Sequence, residues 1–291
     1  MTLSENRISP KKDNSVIESK IVIPSVFIED FFSAALKHRV KIEVLLPPWY
    51  EETPQFNFRL LILNDGQLIH KVKVKEALLD LYSTNRIPPV IVCGVHASNR
   101  LHEYGVSGVP DYKKRGEKAL KYSRFVVNEL LPLLRKNFRV RQDPAGVAIA
   151  GFSLGGLSAF DIAWNYPHAF GSVGVFSGSF WWRSKGYNDG YNDESDRIMH
   201  RIVRSTDSKS NQKFWFQCGT EDEESDRNQN GIIDSIEDTL DLIGELEKIG
   251  FEKGKELFYL EVEGGRHNEE TWSTVFPDFL DWAFSSKMQV I

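Results

Sequence analysis

The stretch Gly151-Phe152-Ser153-Leu154-Gly155-Gly156 follows an apolar, strand-like run at 146–150 and precedes a helical one at 157–164. Glycines two before and two after a serine let a strand turn sharply into a helix, because any side chain there would clash as the backbone doubles back. Such a turn leaves the serine hydroxyl exposed at the end of a parallel sheet. The helix that follows aims unpaired backbone N–H groups at the same spot. The pentapeptide arises by chance roughly once in ten chains of this length. The strand before it and the helix after it therefore carry the argument, and Ser153 becomes a candidate nucleophile.

The chain has 291 residues, of which 41% are hydrophobic and 26% charged, enough for one large α/β domain with a sizeable core. A net charge of −5, with no basic block beyond Lys113-Lys114-Arg115, argues against nucleic acid or an anionic membrane as the main partner. No apolar run approaches membrane-spanning length, so no membrane span is expected. Residues 1–20 are polar and charged, and are expected to form a flexible segment before a single domain over 21–291. Cys93 and Cys218 each lie in an apolar, strand-like run and read as buried free thiols. A cytoplasmic location is the expectation.

Short apolar runs alternate with amphipathic ones, the pattern of a mostly parallel sheet covered by helices. Strands are expected at 40–46, 58–63, 89–95, 146–150, 172–176, 213–218 and 257–262, and helices at 74–82, 118–135 and 271–284. Pro132 should kink or shorten the second helix. The polar stretch 183–212 reads as an insertion at the carboxyl edge of the sheet, either a lid or a solvated loop.

A serine hydroxyl needs a base to take its proton. Of seven histidines, only His267 follows the final strand and precedes the last helix, which is where the chain order serine, acid, histidine requires it. The acid should lie in Gly219-Thr220-Glu221-Asp222-Glu223-Glu224. Asp222 is the choice, with Glu221 and Glu223 as fallbacks, to hold the imidazole in one tautomer. The oxyanion would be met by the backbone N–H of Leu154 and by a second donor after an earlier strand, for which His96 is favoured. Arg100 with Glu103 is expected to form a structural ion pair bracing that loop.

These residues resemble the putative-esterase branch of the α/β-hydrolases, which includes esterase D, enterobactin-type siderophore esterases and feruloyl esterases. The resemblance runs from about residue 40 to the end. It rests on Leu46-Pro47-Pro48-Trp49-Tyr50, Asn64-Asp65-Gly66-Gln67, the serine turn, Tyr166-Pro167-His168-Ala169-Phe170, Phe176-Ser177-Gly178-Ser179-Phe180-Trp181 and Gly219-Thr220-Glu221-Asp222. It implies an eight-stranded, mostly parallel sheet flanked by helices, a Ser153–Asp222–His267 triad, Trp181 near the acyl pocket, and a small-molecule ester as substrate. No cofactor is needed for that chemistry. An acyltransferase using the same triad and a non-catalytic binding module are the competing readings.

A second motif stands apart from ester chemistry. Residues 226–237 match the twelve-residue EF-hand calcium loop at every ligand position. Asp226, Asn228 and Asn230 would offer side-chain oxygens, Ile232 its carbonyl, Asp234 a direct or water-mediated contact, and Glu237 a bidentate one. Gly231 would allow the sharp turn. An outgoing helix follows, but no entering helix precedes Asp226. The alternative is a helix N-terminus rich in asparagine and aspartate that suits the helix dipole without metal. The expectation is a structural calcium ion.

Overall fold

The computed structural model describes residues 21–285; the N-terminal segment 1–20, expected to be flexible, lies outside the described residues. Eight strands form one sheet: β1 (Ser25–Ser33), β2 (His38–Leu45), β3 (Arg59–Asn64), β4 (Val90–Val95), β5 (Val147–Phe152), β6 (Ser172–Phe176), β7 (Lys213–Glu221) and β8 (Leu257–Arg266). Their spatial order is β1-β2-β4-β3-β5-β6-β7-β8. The β1–β2 and β2–β4 pairs are antiparallel and every other pair is parallel. The strand order reverses at β3, where β4 lies on one side and β5 on the other. Crevices at the carboxyl ends of strands flanking such a reversal are where α/β sheets bind ligands.

The helices are α1 (Val74–Ser83), α2 (Arg100–Glu103), α3 (Ala119–Phe125), α4 (Leu131–Asn137), α5 (Leu154–Asn165), α6 (Asp193–Asp196), α7 (Ile198–Arg204), α8 (Asp234–Lys248) and α9 (Glu269–Phe284). Alternation along the strands divides the core between two faces. Leu60 and Ile62 of β3 join a cluster with Phe160 of α5, Met199 of α7 and Leu242 of α8. Leu61 and Leu63 point the other way, into a cluster with Leu78 of α1 and Phe279 of α9. A period of two in the strands thus supplies both helical layers.

The expected helix at 118–135 divides. A π turn at Val126–Leu130 separates α3 from α4, and Pro132 follows it in the first turn of α4, where the widened turn accommodates a residue that has no N–H to donate. The stretch 183–212 forms α6 and α7, and Ile198, Met199 and Val203 of α7 are fully buried in the first cluster. No described helix is long and apolar enough to cross a membrane.

Two glycines test this packing in opposite directions. A Cβ on Gly174 of β6 would lie 2.5 Å from the buried Phe279 ring, which fixes how closely α9 approaches the sheet. A Cβ on Gly244 of α8 would meet nothing. Gly174→Ala should therefore destabilise the fold by about 1–3 kcal/mol through overpacking. Gly244→Ala should stabilise it by about 0.5–1 kcal/mol, because glycine is the poorer helix former. Melting temperatures moving in the same direction for both would contradict this packing.

Candidate active site

Ser153 begins the turn between β5 and α5 with φ 55° and ψ −122°, a conformation that non-glycine residues rarely hold. Its N–H donates to the Phe176 carbonyl at 2.8 Å, and its own carbonyl accepts from Gly156 at 3.0 Å and Leu157 at 3.1 Å. A Cβ on Gly151 would lie 2.3 Å from the Gly155 carbonyl oxygen, so strand and helix can approach this closely only without one. Leu154 opens α5 and lines the same cleft as Ser153. Its N–H has no backbone acceptor among the described residues, as expected for the first turn of a helix.

Three parallel strands end on one edge, and three candidate side chains come with them. Ser153, Asp222 and His267 all line one cleft of about 360 Å³, together with Ser179 and Trp181. The β7 and β8 ends meet through glycine: a Cβ on Gly219 would lie 2.3 Å from the Gly265 carbonyl oxygen. That contact draws the loop of Asp222 toward the loop of His267. Glu221, the first fallback acid, is exposed and paired with Arg266 at 2.9 Å. Glu223, the second, is half-buried and also lines the cleft.

The hydrogen bonds of a working triad are open in this structure. Ser153 Oγ lies 3.3 Å from Ser179 Oγ. Both carboxylate oxygens of Asp222 are buried and make no well-formed hydrogen bond among the described residues, although the Gly219 amide and the Ser177 hydroxyl lie close by. Burial pushes the Asp222 carboxyl up, while those two neighbours and His267 pull it down. Burial also lowers His267, and Arg100 adds to that, while Asp222 opposes both. Residue 267 is exposed as a whole, but its ring stands edge-on to Trp272 at 5.4 Å between centroids.

Two sequence expectations need correction. The His96 N–H donates to the Lys41 carbonyl at 3.0 Å, so it is not free to serve as the second oxyanion donor. The loop after β4 extends the β2 pairing by one more backbone bond, and that use of the amide leaves no trace in the sequence. Arg100 does brace this region, but its partner is Asp65 and not Glu103. Its Nε and Nη2 donate to the two Asp65 oxygens at 2.7 and 3.0 Å, and Nη2 also donates to the Phe152 carbonyl at 3.1 Å. Glu103 pairs instead with His38 at 2.6 Å. Arg115 also lines the cleft, although the sequence presents it only as part of a short basic run.

In the stretch 226–237, Asn228 and Asn230 both place their side-chain amides 2.7 Å from one oxygen of Glu237. Asp226 accepts from the backbone of Asn230 at 3.2 Å and of Gly231 at 2.8 Å. Asp234 is turned away and buried, with its carboxylate 3.1 Å from Arg227 Nη1. Among the described residues no group of three or more His, Cys, Asp or Glu is arranged to hold a metal ion.

The strand order, the layering and a serine on a strand-to-helix turn together define an α/β-hydrolase fold. The chain belongs to the family described as "Putative esterase", whose model matches residues 33–283. It is 28% identical over 148 residues to the uncharacterized protein YbbA of Bacillus subtilis, covering 50% of this chain and 58% of that one. It is 28% identical over 131 residues to the iron(III) enterobactin esterase of Escherichia coli K12, covering 44% of this chain but 30% of that protein. These matches thus span under two thirds of either relative. Among solved structures, the enterobactin esterase of Shigella flexneri superposes with a TM-score of 0.69 at 19% identity, covering 91% of this chain and 59% of that one. A ferulic acid esterase superposes with a TM-score of 0.67 at 17% identity, covering 90% and 97%.

The Arg100 fork makes a stability prediction. Asp65 is fully buried, and burial raises its carboxyl while Arg100 pulls it down. Arg100→Gln should cost about 3–5 kcal/mol near neutral pH, because it leaves a buried carboxylate unpaired. Without Arg100 the folded-state value rises further above the unfolded one. The added penalty is then absent while both folded proteins keep Asp65 protonated and grows as pH climbs from the folded value of the parent toward the higher folded value of the variant. Denaturant melts of both proteins across acidic pH check this, and a gap that widens on acidification would contradict it.

Proposed function

We propose that the chain is a serine carboxylic-ester hydrolase working through an acyl-enzyme on a small-molecule ester. One observation carries the reading: Ser153, in its strained backbone conformation, shares a cleft with a buried, unpartnered Asp222 carboxylate and the His267 imidazole. An unpaired buried carboxylate is costly unless a positive group can come to it. In the reaction, His267 takes the Ser153 proton as Oγ attacks the ester carbonyl carbon, and Asp222 stabilises the imidazolium that forms. Negative charge gathers on the former carbonyl oxygen, which the Leu154 N–H and the N-terminus of α5 favour. The tetrahedral species collapses as the alcohol leaves with the proton from His267. Water, deprotonated by the same imidazole, then releases the acid. The open Ser153 bond is compatible with this, since catalytic hydrogen bonds commonly tighten only with substrate bound.

Membership of the esterase family supports hydrolysis over a binding module, and product analysis with water and alcohol acceptors separates it from acyl transfer. Only neutral His267 can accept the proton, so the acylation rate should rise with pH through an apparent value below that of an ordinary histidine. Asp222→Asn removes the charge that raises His267. It should move that value lower still and cut the rate on the order of 10³–10⁴-fold. Ser153→Ala should lose turnover with an unchanged melt. A folded Ser153→Ala protein that still turns over a small activated ester would falsify this assignment.

We further propose that residues 226–237 hold a structural calcium ion outside the reaction. The donor set suits a hard cation: one carboxylate, two amides whose carbonyl oxygens can turn inward, and Glu237 gather on one side of the turn. With Asp234 engaged by Arg227, a water would take its place, as is common at that loop position. Bound there, the ion would supply charge neutralisation to a loop that begins four residues after Asp222. Calcium should raise the melting temperature in proportion to the logarithm of its concentration, and Glu237→Ala should abolish that response. Identical melts in chelator and in millimolar calcium would reject the site.

A further inference from the structure

Beside the catalytic cleft lies a second hollow of about 280 Å³, and the two share Arg115, Trp181 and Glu223 in their walls. Arg183 lines it, with only 9% of its surface exposed. Its guanidinium stacks near three tyrosine rings, at 4.8 Å from Tyr112, 3.9 Å from Tyr187 and 5.8 Å from Tyr191. Nη2 reaches the Tyr112 hydroxyl at 3.3 Å and Nη1 the Trp181 carbonyl at 3.4 Å, both long contacts to neutral acceptors. Nε is buried and has no partner.

No described carboxylate lies within ion-pair distance of Arg183. The other buried arginines of this region differ: Arg197 meets Asp238 at 2.8 Å and Asp241 at 2.7 Å, and Arg227 meets Asp193 and Asp238 at 2.8 and 2.7 Å. Arginine cannot shed its proton to escape burial. Aromatic faces recover part of the lost hydration, but they do not satisfy the donors. A buried, permanently charged fork with an open hollow above it is arranged for an oxyanion.

The rest of the hollow decides whether its sign is positive. Lys113 contributes a second cation, and Arg115 is already balanced by the buried Asp111, whose Oδ2 accepts from both Nε and Nη2. Of the two carboxylates in the wall, Asp234 is held by Arg227. Glu223, which also lines the hollow, makes no ion pair among the described residues. The uncompensated charge is therefore Arg183 with Lys113, opposed by Glu223 alone.

We propose that this hollow is a subsite for a carboxylate or comparable oxyanion carried by the substrate, with Arg183 as its anchor, so that the enzyme selects acidic esters. This deepens the ester-hydrolase reading and rests on it. Arg183 opens the polar stretch 183–212, and its carbonyl accepts from the Tyr112 N–H at 3.0 Å. The insertion and the basic run 113–115 thus meet over the hollow. Trp181 and Arg115, 4.8 Å apart, form the divide between ester and anion.

The test compares charge-matched pairs on the full chain: 4-nitrophenyl hydrogen adipate against its methyl ester, and 3-acetoxybenzoate against its methyl ester. At low ionic strength at least one acidic member should exceed its neutral twin by roughly tenfold or more in kcat/KM, mainly through KM. Arg183→Gln should lower that ratio about tenfold, Arg183→Lys should retain part of it, and Glu223→Gln should raise it. Both rates of each pair come from the same protein sample, so loss of folded material cancels from the ratio. Ratios near one for both pairs, or a ratio unmoved by Arg183→Gln, would overturn the subsite. Calorimetry with monomethyl adipate and dimethyl adipate reads the subsite without turnover. Tighter binding of the acid that is lost in Arg183→Gln supports the subsite even if no ester is hydrolysed, an outcome that would sink the hydrolase reading alone. Equal binding of the two overturns the subsite whether or not esters are hydrolysed.

Discussion

The approach of β5 to α5 is the constraint on which the site depends. Gly151 and Gly155 bring two stretches of backbone closer than any Cβ would permit, and Ser153 is left to absorb the reversal in an unfavourable backbone conformation. Such a conformation persists only where the surroundings over-determine it. Here they do so from several directions. The Phe176 carbonyl holds the Ser153 amide, Asn64 donates to the Gly155 carbonyl at 2.8 Å, and Arg100 holds the Phe152 carbonyl while gripping Asp65. A Cβ on Gly155 would lie 2.5 Å from that same Asp65 carboxylate. The serine is thus pinned from β3, β6 and the loop after β4 together, and the sheet order is what makes those three neighbours.

A second glycine contact performs a similar task at the other side of the cleft. Gly219 and Gly265 let β7 and β8 converge at their carboxyl ends, which brings the acid loop beside the histidine loop. The bulge between Gly219 and Glu221 then shifts the pairing, so that Glu221 meets Arg266 outside while Asp222 turns inward. Which of the four crowded carboxylates faces the cleft is therefore decided by strand register as much as by residue type. Asp222 ends up buried and unpartnered, an expensive state for a carboxylate and one that an approaching imidazolium relieves.

Sequence reasoning reached the parts of this that are local. The glycine spacing around Ser153, the short apolar strands and the position of His267 are properties of contiguous stretches, and seven of the eight strands follow from them. β1 has no such signature because it is an edge strand: exposed Phe27 and Phe32 lie on either side of the adjacent charges Glu29 and Asp30, and a β-bulge breaks its register, so no period of two survives. The helical period expected over 118–135 is present, but the π turn at Val126–Leu130 has no distinctive residue pattern that a reading by period would detect. Arg100 and His96 depart from the sequence expectation for a different reason. Their partners, Asp65 and the Lys41 carbonyl, are distant in sequence, and an ion pair or a β-type backbone bond between distant residues has no local signature.

Arg183 shows the same limit from the opposite side, since being unpaired is a property of the whole neighbourhood. Arg197 within the stretch 183–212 and Arg227 beside it are compensated by carboxylates and share Asp193 and Asp238 in one network, whereas Arg183 pairs with neither. Arg227 is the hinge of that network: it reaches Asp193 in the insertion, and Asp234, Glu237 and Asp238 at the start of α8. Because Glu237 also receives Asn228 and Asn230, the turn at 226–237 and the insertion that carries Arg183 are held by overlapping sets of charges. Any group that withdrew Glu237 from Arg227 would leave that arginine to Asp193, Asp234 and Asp238, tightening its hold on the insertion. The proposed cation loop and the proposed anion subsite adjoin at Asp234, which belongs to the loop and lines the hollow, and the charges that set their positions are shared.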